Sequence, residues 1–254
     1  MDFIEIIIIA VISFLAAGLS AVAQGGGTYV IIPMLLSFGV PPATVVASLN
    51  ISNMGFVIGS IAGLKGIKVK DWLTVVYMTV IGIITGFFVP IILTKINADY
   101  YSIAIAVLLI IFTPILYFKP FGLKPTKPTK KSKIFGYFLL LLNMIIARIA
   151  IGVGALFSFV LCRYIGMTVL QASLARKYSG LVSGVFVAIW VAVAGFVNWQ
   201  LAIVLTISAL SGSFIGSKIL VTKGNEWAAK VMVLAMLISG VILIINVVKK
   251  KKKK

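Results

Sequence analysis

Two adjacent basic residues, Arg176 and Lys177, stand inside an otherwise apolar stretch of this sequence. On a helix they share a face with Ser173 and Gly180, which lie three or four positions away. An ionisable side chain inside a membrane span costs roughly 2.5 to 3.5 kcal/mol on insertion scales, and such residues tend to be functional. A guanidinium can bind an oxyanion through paired hydrogen bonds, and an ammonium adds a point charge. This face therefore predicts a surface that binds anions.

A polar counterpart occurs in the first half of the chain. Asn50 and Asn53 share a helical face with Ala47 and Met54, and Ser48 belongs to the same segment. A cavity between this face and the basic face would be lined by positive charge and amide donors. Arg148 and Arg163 also lie in or beside apolar runs, but such side chains can extend to lipid headgroups instead.

Three consecutive glycines, Gly25, Gly26 and Gly27, follow Gln24 within an apolar region. Glycine is unfavourable in a helix interior, so the run predicts a broken helix with a second piece beginning at Thr28. The free N–H groups and the dipole of a helix start attract anions. Broken backbone is tolerated at membrane depth where it lines a cavity or is buried in protein. The alternative is a close helix crossing through small residues.

Residues that usually carry enzyme chemistry are scarce. The chain has no histidine and one cysteine, Cys162, and its five acids lie near the ends of segments: Asp2, Glu5, Asp71, Asp99 and Glu226. No cluster matches a metal site, no serine has a histidine base, and no phosphate-binding loop occurs. We expect no catalytic residues, no metal and no cofactor.

Eight apolar runs are long enough to span a bilayer, which takes about 20 residues per helix: 3–23, 41–63, 72–93, 100–118, 134–151, 167–194, 199–221 and 227–248. Hydrophobic residues make up 61% of the 254 and charged residues 11%. None of the runs alternates in polarity as a barrel strand does. We predict an all-α integral membrane protein with about eight transmembrane helices.

The sequence also predicts an internal duplication. Two four-helix halves, 1–118 and 134–248, flank a basic Lys/Pro linker, 119–133, and a polylysine tail, 249–254. Each half contains a short segment, 28–38 or 155–165, that is either glycine-broken or re-entrant. Trp72 and Trp199 stand 127 positions apart, which is half of the chain. Chance matching of glycine-rich segments is the alternative. The matched positions are Gly25 to Gly27, Gly39, Ala47 to Leu49, Gly55 and Gly59 against Gly152 to Gly154, Gly166, Ala172 to Leu174, Gly180 and Gly184.

The net charge of +18 is concentrated next to the membrane spans, in the linker and the tail. Positive charge marks the cytoplasmic side, so both segments are predicted to be cytoplasmic, in contact with anionic lipid. Nucleic-acid binding is not predicted, because no aromatic residues interleave with the lysines. If the short segments do not cross the membrane, the same count places Lys65 and the amino terminus inside, and Lys218 and Lys223 outside. Crossing short segments would give inverted halves, which the lysine pattern disfavours.

The stretch from Gly25 to Leu36, with Pro33 inside it, resembles the sulfite exporter TauE/SafE family, also called the 4-toluene sulfonate uptake permeases. Gly39 and the Ala47-Ser48-Leu49 element extend the resemblance, and the layout of duplicated halves around a basic loop covers the whole chain. The second copy departs from the pattern, with Val153 for the middle glycine. The resemblance implies transport of sulfite, sulfonates or related organosulfur anions in a multi-pass cell-membrane protein.

We therefore predict a permease or exporter of small oxyanions. The predicted substrate-binding residues are Gly25, Gly26, Gly27, Thr28, Ser48, Asn50, Asn53, Ser173, Arg176 and Lys177. The predicted partners are a small anionic substrate and membrane lipids, and a homo-oligomer is compatible with the sequence. The alternative is a membrane accessory or assembly protein without transport activity, in which the basic segments recruit lipid or a partner.

Overall fold

The computed structural model describes residues 3–23, 27–69, 71–88, 124, 126–149 and 154–251, and these residues form helices joined by short loops. Residue 224 interrupts the last helix, because Gly224 has φ 80° and ψ −179°. The helices are α1 (Phe3–Val22), α2 (Thr28–Ser37), α3 (Pro42–Gly63), α4 (Trp72–Phe87), α5 (Lys130–Ile149), α6 (Gly154–Val160) continued by a π-helical turn (Leu161–Ile165), α7 (Val169–Val193) and α8 (Trp199–Lys251).

Four of the described helices are long and apolar enough to cross a membrane. These spans are Ile4–Val22, Ala43–Gly63, Val169–Val193 and Trp199–Trp227, and Trp72–Phe87 and Leu156–Ile165 are shorter apolar helices. Large apolar side chains such as Leu73, Ile84 and Val193 are exposed on their outer surfaces. Lipid is the solvent that such surfaces require. The predicted span 100–118 lies outside the described residues.

Both predicted short segments correspond to helices of the structure. The first helix ends at Val22 and the next begins at Thr28. In the second half the short segment begins at Gly154, close to the predicted residue 155, and ends at Ile165. Each half therefore contains a helix too short to span the bilayer alone, beside full-length helices.

Helix α8 packs side by side with α1 and α3, and all three run in the same direction. A β-carbon at Gly212 would collide with the Phe14 carbonyl oxygen, and one at Gly216 with that of Gly18. On the other flank, Gly55 lies against Thr206 and Gly59 against Leu210. Four residues forward along α8 correspond to four residues forward along each partner helix, so both pairs of helices are parallel. The glycines allow the backbones to approach this closely.

Helix α7 runs antiparallel to α3 and parallel to α4. Gly184 lies against Met54, whereas Gly180, one turn earlier, lies against Val57, one turn later. Towards the other end of α7, Val191 joins Ala47 in one apolar cluster. Along α4, by contrast, Trp72 meets Tyr178 and Phe87 stacks on Trp190.

These directions correct the predicted topology. Because α1 and α3 are parallel, the chain must return between them through α2, so the amino-terminal end of α1 lies opposite the loop that carries Lys65. The prediction that both share a side is wrong. Lys218 does not lie opposite Lys65 either, because its backbone nitrogen would be 3.2 Å from a β-carbon at Gly63. A short helix that returns the chain between two parallel helices leaves no hydropathy peak of full span length, which is why the sequence count failed.

Lysines from three separate segments gather at one end of the bundle, which we call the lysine-rich end. It comprises loop 64–69, residues 126–133 and the segment around Lys223. Lys133 forms an ion pair with Asp71 at 3.4 Å, and Thr126 donates its N–H to the Gly166 carbonyl. At the opposite end, loops 38–41 and 194–198 contain no lysine or arginine. Lys223 is thus another residue whose predicted side was wrong.

Side-chain caps fix the helix starts at the lysine-rich end. The Asp71 carboxylate accepts the Thr74 N–H at the start of α4. Thr168 and Gln171 form a capping box at the start of α7, where Asn225 also accepts the Leu170 N–H. These bonds satisfy backbone donors that the helices leave open.

Candidate functional site

Lys177 lies inside the protein, well within a membrane-spanning helix. It is eight residues from the start of α7, or roughly 12 Å at 1.5 Å per residue. Only 6% of the residue is exposed, and its Nζ lies 3.7 Å from the ring centroid of Phe56 on α3. Lys177 forms no ion pair with any residue that the structure describes. A buried cation without a carboxylate partner is a favourable place for an anion.

Arg176 points in a different direction from its neighbour. Its Nη1 donates a hydrogen bond to the Ser158 hydroxyl at 3.1 Å, and its guanidinium carbon lies 5.5 Å from the centre of the Phe157 ring. Both partners belong to α6, the short helix of the second half. Serine 158 in turn donates to the Gly154 carbonyl at 3.4 Å. The broken segment of this half is therefore attached directly to the basic pair.

Ser173 lies one helical turn before Lys177 and is 1% exposed. Its Oγ has no hydrogen-bond partner among the described residues. A buried hydroxyl left unpaired is unfavourable by about 1–3 kcal/mol, so such a group is available to a ligand. Ser173, Arg176 and Lys177 therefore lie on one side of α7, although the two cations extend to different neighbouring helices.

The polar residues of α3 are not gathered beside this surface. The Ser48 hydroxyl lies 3.5 Å from the Asn198 carbonyl, near the end opposite to the lysine-rich end. Asn50 donates to the Val46 carbonyl within its own helix. Asn53 is exposed, and its Nδ2 would lie 3.9 Å from a β-carbon at Gly184, which is seven residues from Lys177 along α7, or roughly 10 Å. Asn53 is the α3 amide closest to the basic pair.

At the first glycine element, Gly25 and Gly26 lie outside the described residues, and of Thr28 only the backbone is described. Gly27 packs against α1, where a β-carbon would collide with the Ala16 carbonyl oxygen. Its N–H donates to the Ser20 hydroxyl at 2.7 Å. The Gly27 N–H is therefore already hydrogen-bonded within the fold. At this residue the structure agrees with the alternative of a close helix crossing through small residues.

Sequence reasoning did not select Phe56, Ser158 or Asn143. Asn143 on α5 is 6% exposed, and its Oδ1 has no partner among the described residues. A polar residue in the apolar run 134–151 was a usable signal for Asn143. Ser158 follows Gly154 by one turn, which could have linked it to the glycine element. Nothing in the sequence marks Phe56.

The other two arginines noted in the sequence are Arg163 and Arg148. Arg163 is exposed beside Tyr164 at the end of the π-helical turn, in agreement with an extended side chain at the membrane interface. The side chain of Arg148 lies outside the described residues. The described part of the chain holds no group of three metal-ligating side chains.

Apolar spans, two short helices and a buried lysine beside an arginine define a multi-pass helical membrane protein. The chain belongs to the sulfite exporter TauE/SafE family, whose model matches residues 9–243. That match covers nearly the whole chain and both halves of the bundle. The description of the family is that of a sulfite exporter. No curated protein and no solved structure matched the chain.

Proposed function

We propose that this protein transports small oxyanions such as sulfite, sulfonates or related organosulfur anions. The observation that carries the proposal is the burial of Lys177, without a described carboxylate partner, next to Arg176 in a membrane-spanning helix. An anion that bound here would offset the unfavourable burial of positive charge. The name of the family supports sulfite as the first substrate to examine.

The proposed binding surface consists of Ser173, Arg176 and Lys177, with Asn53 as the nearer of the two α3 asparagines. Oxyanion oxygens would accept hydrogen bonds from the guanidinium, the ammonium and the Ser173 hydroxyl. We retain Gly25, Gly26 and Thr28 as candidates for a second contact through backbone N–H groups. Ser48, Asn50 and Gly27 are weaker candidates, because their polar groups already have partners within the fold.

We further infer that the two halves are inverted copies. The matched helices α3 and α7 are antiparallel, which supports this inference. Each of them also packs on a helix of the other half, α3 on α8 and α7 on α4. Inverted repeats can expose a central site first to one side and then to the other when the halves rock. The lysine-rich end would face the cytoplasm. The lysines of the tail, 249–254, favour a cytoplasmic position for the tail as well. If residues 227–248 cross the membrane, the tail lies on the opposite side.

Anion binding to purified protein and flux in proteoliposomes test the proposal. Replacing Arg176 or Lys177 by glutamine should weaken sulfite binding by about tenfold or more, because hydrogen bonds to charged groups contribute about 1.5–3 kcal/mol. The exposed Lys68→Gln is the matched control and should bind normally. Folded Arg176→Gln and Lys177→Gln variants that bind and transport sulfite like the unmodified protein would contradict the proposed site. No flux of any tested anion by the unmodified protein would favour an accessory role.

A further inference from the structure

Among the described residues, Phe56 provides the contact that identifies where the Lys177 ammonium points. The ring belongs to α3 and the ammonium to α7, so the contact joins two antiparallel helices from different halves of the chain. Three other cations lie near aromatic rings among the described residues, at 5.1 to 5.9 Å from the centroid. The 3.7 Å contact of Lys177 is much closer.

A ring face interacts with an ammonium differently from a carboxylate. Its quadrupole attracts the cation, and the attraction strengthens when water is excluded, as it is around Lys177. The ring carries no net charge and cannot accept strong hydrogen bonds from the three ammonium N–H groups. The ring therefore favours the charged form of Lys177 and leaves most of its N–H donors available to an anion. A carboxylate at the same place would compete with the substrate.

The contact also determines direction. Arg176 is bonded to Ser158 on α6, whereas Lys177 reaches towards Phe56 on α3. The two neighbouring cations are thereby directed to different helices, and the surface between them contains Ser173. Without the ring, nothing among the described contacts of Lys177 would hold its flexible four-carbon side chain on the α3 side.

We propose that Phe56 is a positioning residue for anion binding: its ring face holds the Lys177 ammonium, charged and directed towards α3, where the substrate binds. This proposal rests on the proposed function, because it concerns the same site. It adds a residue of the other half of the bundle to that site, and it makes anion affinity dependent on the electron density of one aromatic ring.

Progressive fluorination of the Phe56 ring tests this dependence with little change in shape. Phe56 is replaced by mono-, di- and trifluorophenylalanine, and sulfite affinity is measured on each purified full-length protein. We expect affinity to fall stepwise with fluorination and to fall about tenfold for Phe56→Leu. Phe56→Tyr, which keeps an electron-rich ring, should retain most of the affinity. The same fluorination at Phe214, whose ring lies 5.1 Å from the exposed Lys218, is the control and should have no effect.

Each result has a distinct meaning. A flat fluorination series in protein whose sulfite binding still requires Lys177 overturns the positioning role and leaves the proposed function standing. Equal affinity loss in the Phe56 and Phe214 series also overturns it, because the effect would then be nonspecific. If the unmodified protein binds neither sulfite nor methanesulfonate, the proposed function itself fails. Melting temperatures that stay constant along the series while affinity falls would support positioning over a merely structural role.

Discussion

Gly180 of α7 lies in ordinary contact with Val57 of α3, since a β-carbon at residue 180 would be 3.6 Å from the valine Cγ2. Its counterpart in the first half, Gly55, lies against the Thr206 carbonyl oxygen with no space for a β-carbon. The two matched glycines therefore have different roles. One supports a close helix crossing, and the other leaves room at the interface between the halves.

This difference predicts opposite outcomes for the same substitution. Gly55→Ala should lower the melting temperature and the folded yield, because backbone atoms of α8 would have to move. Gly180→Ala should be neutral or stabilise by about 0.4–1 kcal/mol, because alanine restricts the unfolded chain. Thermal unfolding of both variants in one detergent makes the comparison. Equal destabilisation of the two would show that the α3–α7 interface at Gly180 is tighter than described.

The helix directions predict which loops share a side of the membrane. Cysteines introduced at Lys68 and Lys127 should react with an impermeant thiol reagent from one side, and a cysteine at Phe196 from the other side only. Cys162 is buried and can be replaced by alanine beforehand to remove any background labelling. Labelling of all three positions from one side would be incompatible with parallel α3 and α8. A cysteine at Lys254 in the same assay determines whether 227–248 crosses the membrane.

Asn225 should contribute to stability from outside the helix that it caps. Its Oδ1 accepts the Leu170 N–H at 3.1 Å, and its loss would leave a backbone donor open at the start of α7. Asn225→Ala should destabilise the protein by about 1 kcal/mol, within the range known for capping residues. The neighbouring Glu226, which is exposed, is the control, and Glu226→Ala should not change the melting temperature. A similar effect of both substitutions would point to the helix break at Gly224 instead of the cap.

The hydrogen bond between Ser20 and Gly27 predicts how the junction between α1 and α2 depends on packing. Ser20→Ala removes the acceptor for the buried Gly27 N–H and should destabilise by about 1–3 kcal/mol. Ser211, a partly exposed serine on α8 whose hydroxyl bonds within its own helix, is the control, and Ser211→Ala should have little effect. If Ser20→Ala keeps its melting temperature but loses sulfite affinity, the Gly27 amide has a role in binding beyond the fold.

Sequence alone predicted much of the helix pattern, because long apolar runs and glycine clusters leave few alternatives in a bilayer. The break between Val22 and Thr28 and the burial of Lys177 are examples. The relative direction of α1 and α3 was not predictable, since it depends on the path of the ten-residue helix α2. Contacts between distant positions were also inaccessible. Phe56 and Lys177 meet because two antiparallel helices cross, and neither residue type indicates the other.

The hydrogen bond between Ser48 and Asn198 spans 150 positions of sequence. The α3 surface beside it is completed by α8, the last helix to leave the ribosome among those described. During synthesis the first half therefore enters the bilayer before α8 can pack against the glycines of α1 and α3. Contacts of such long range in sequence form slowly. Assembly of the bundle is thus obligatorily late, and a chain that stops before residue 199 lacks the partner that closes both α1 and α3.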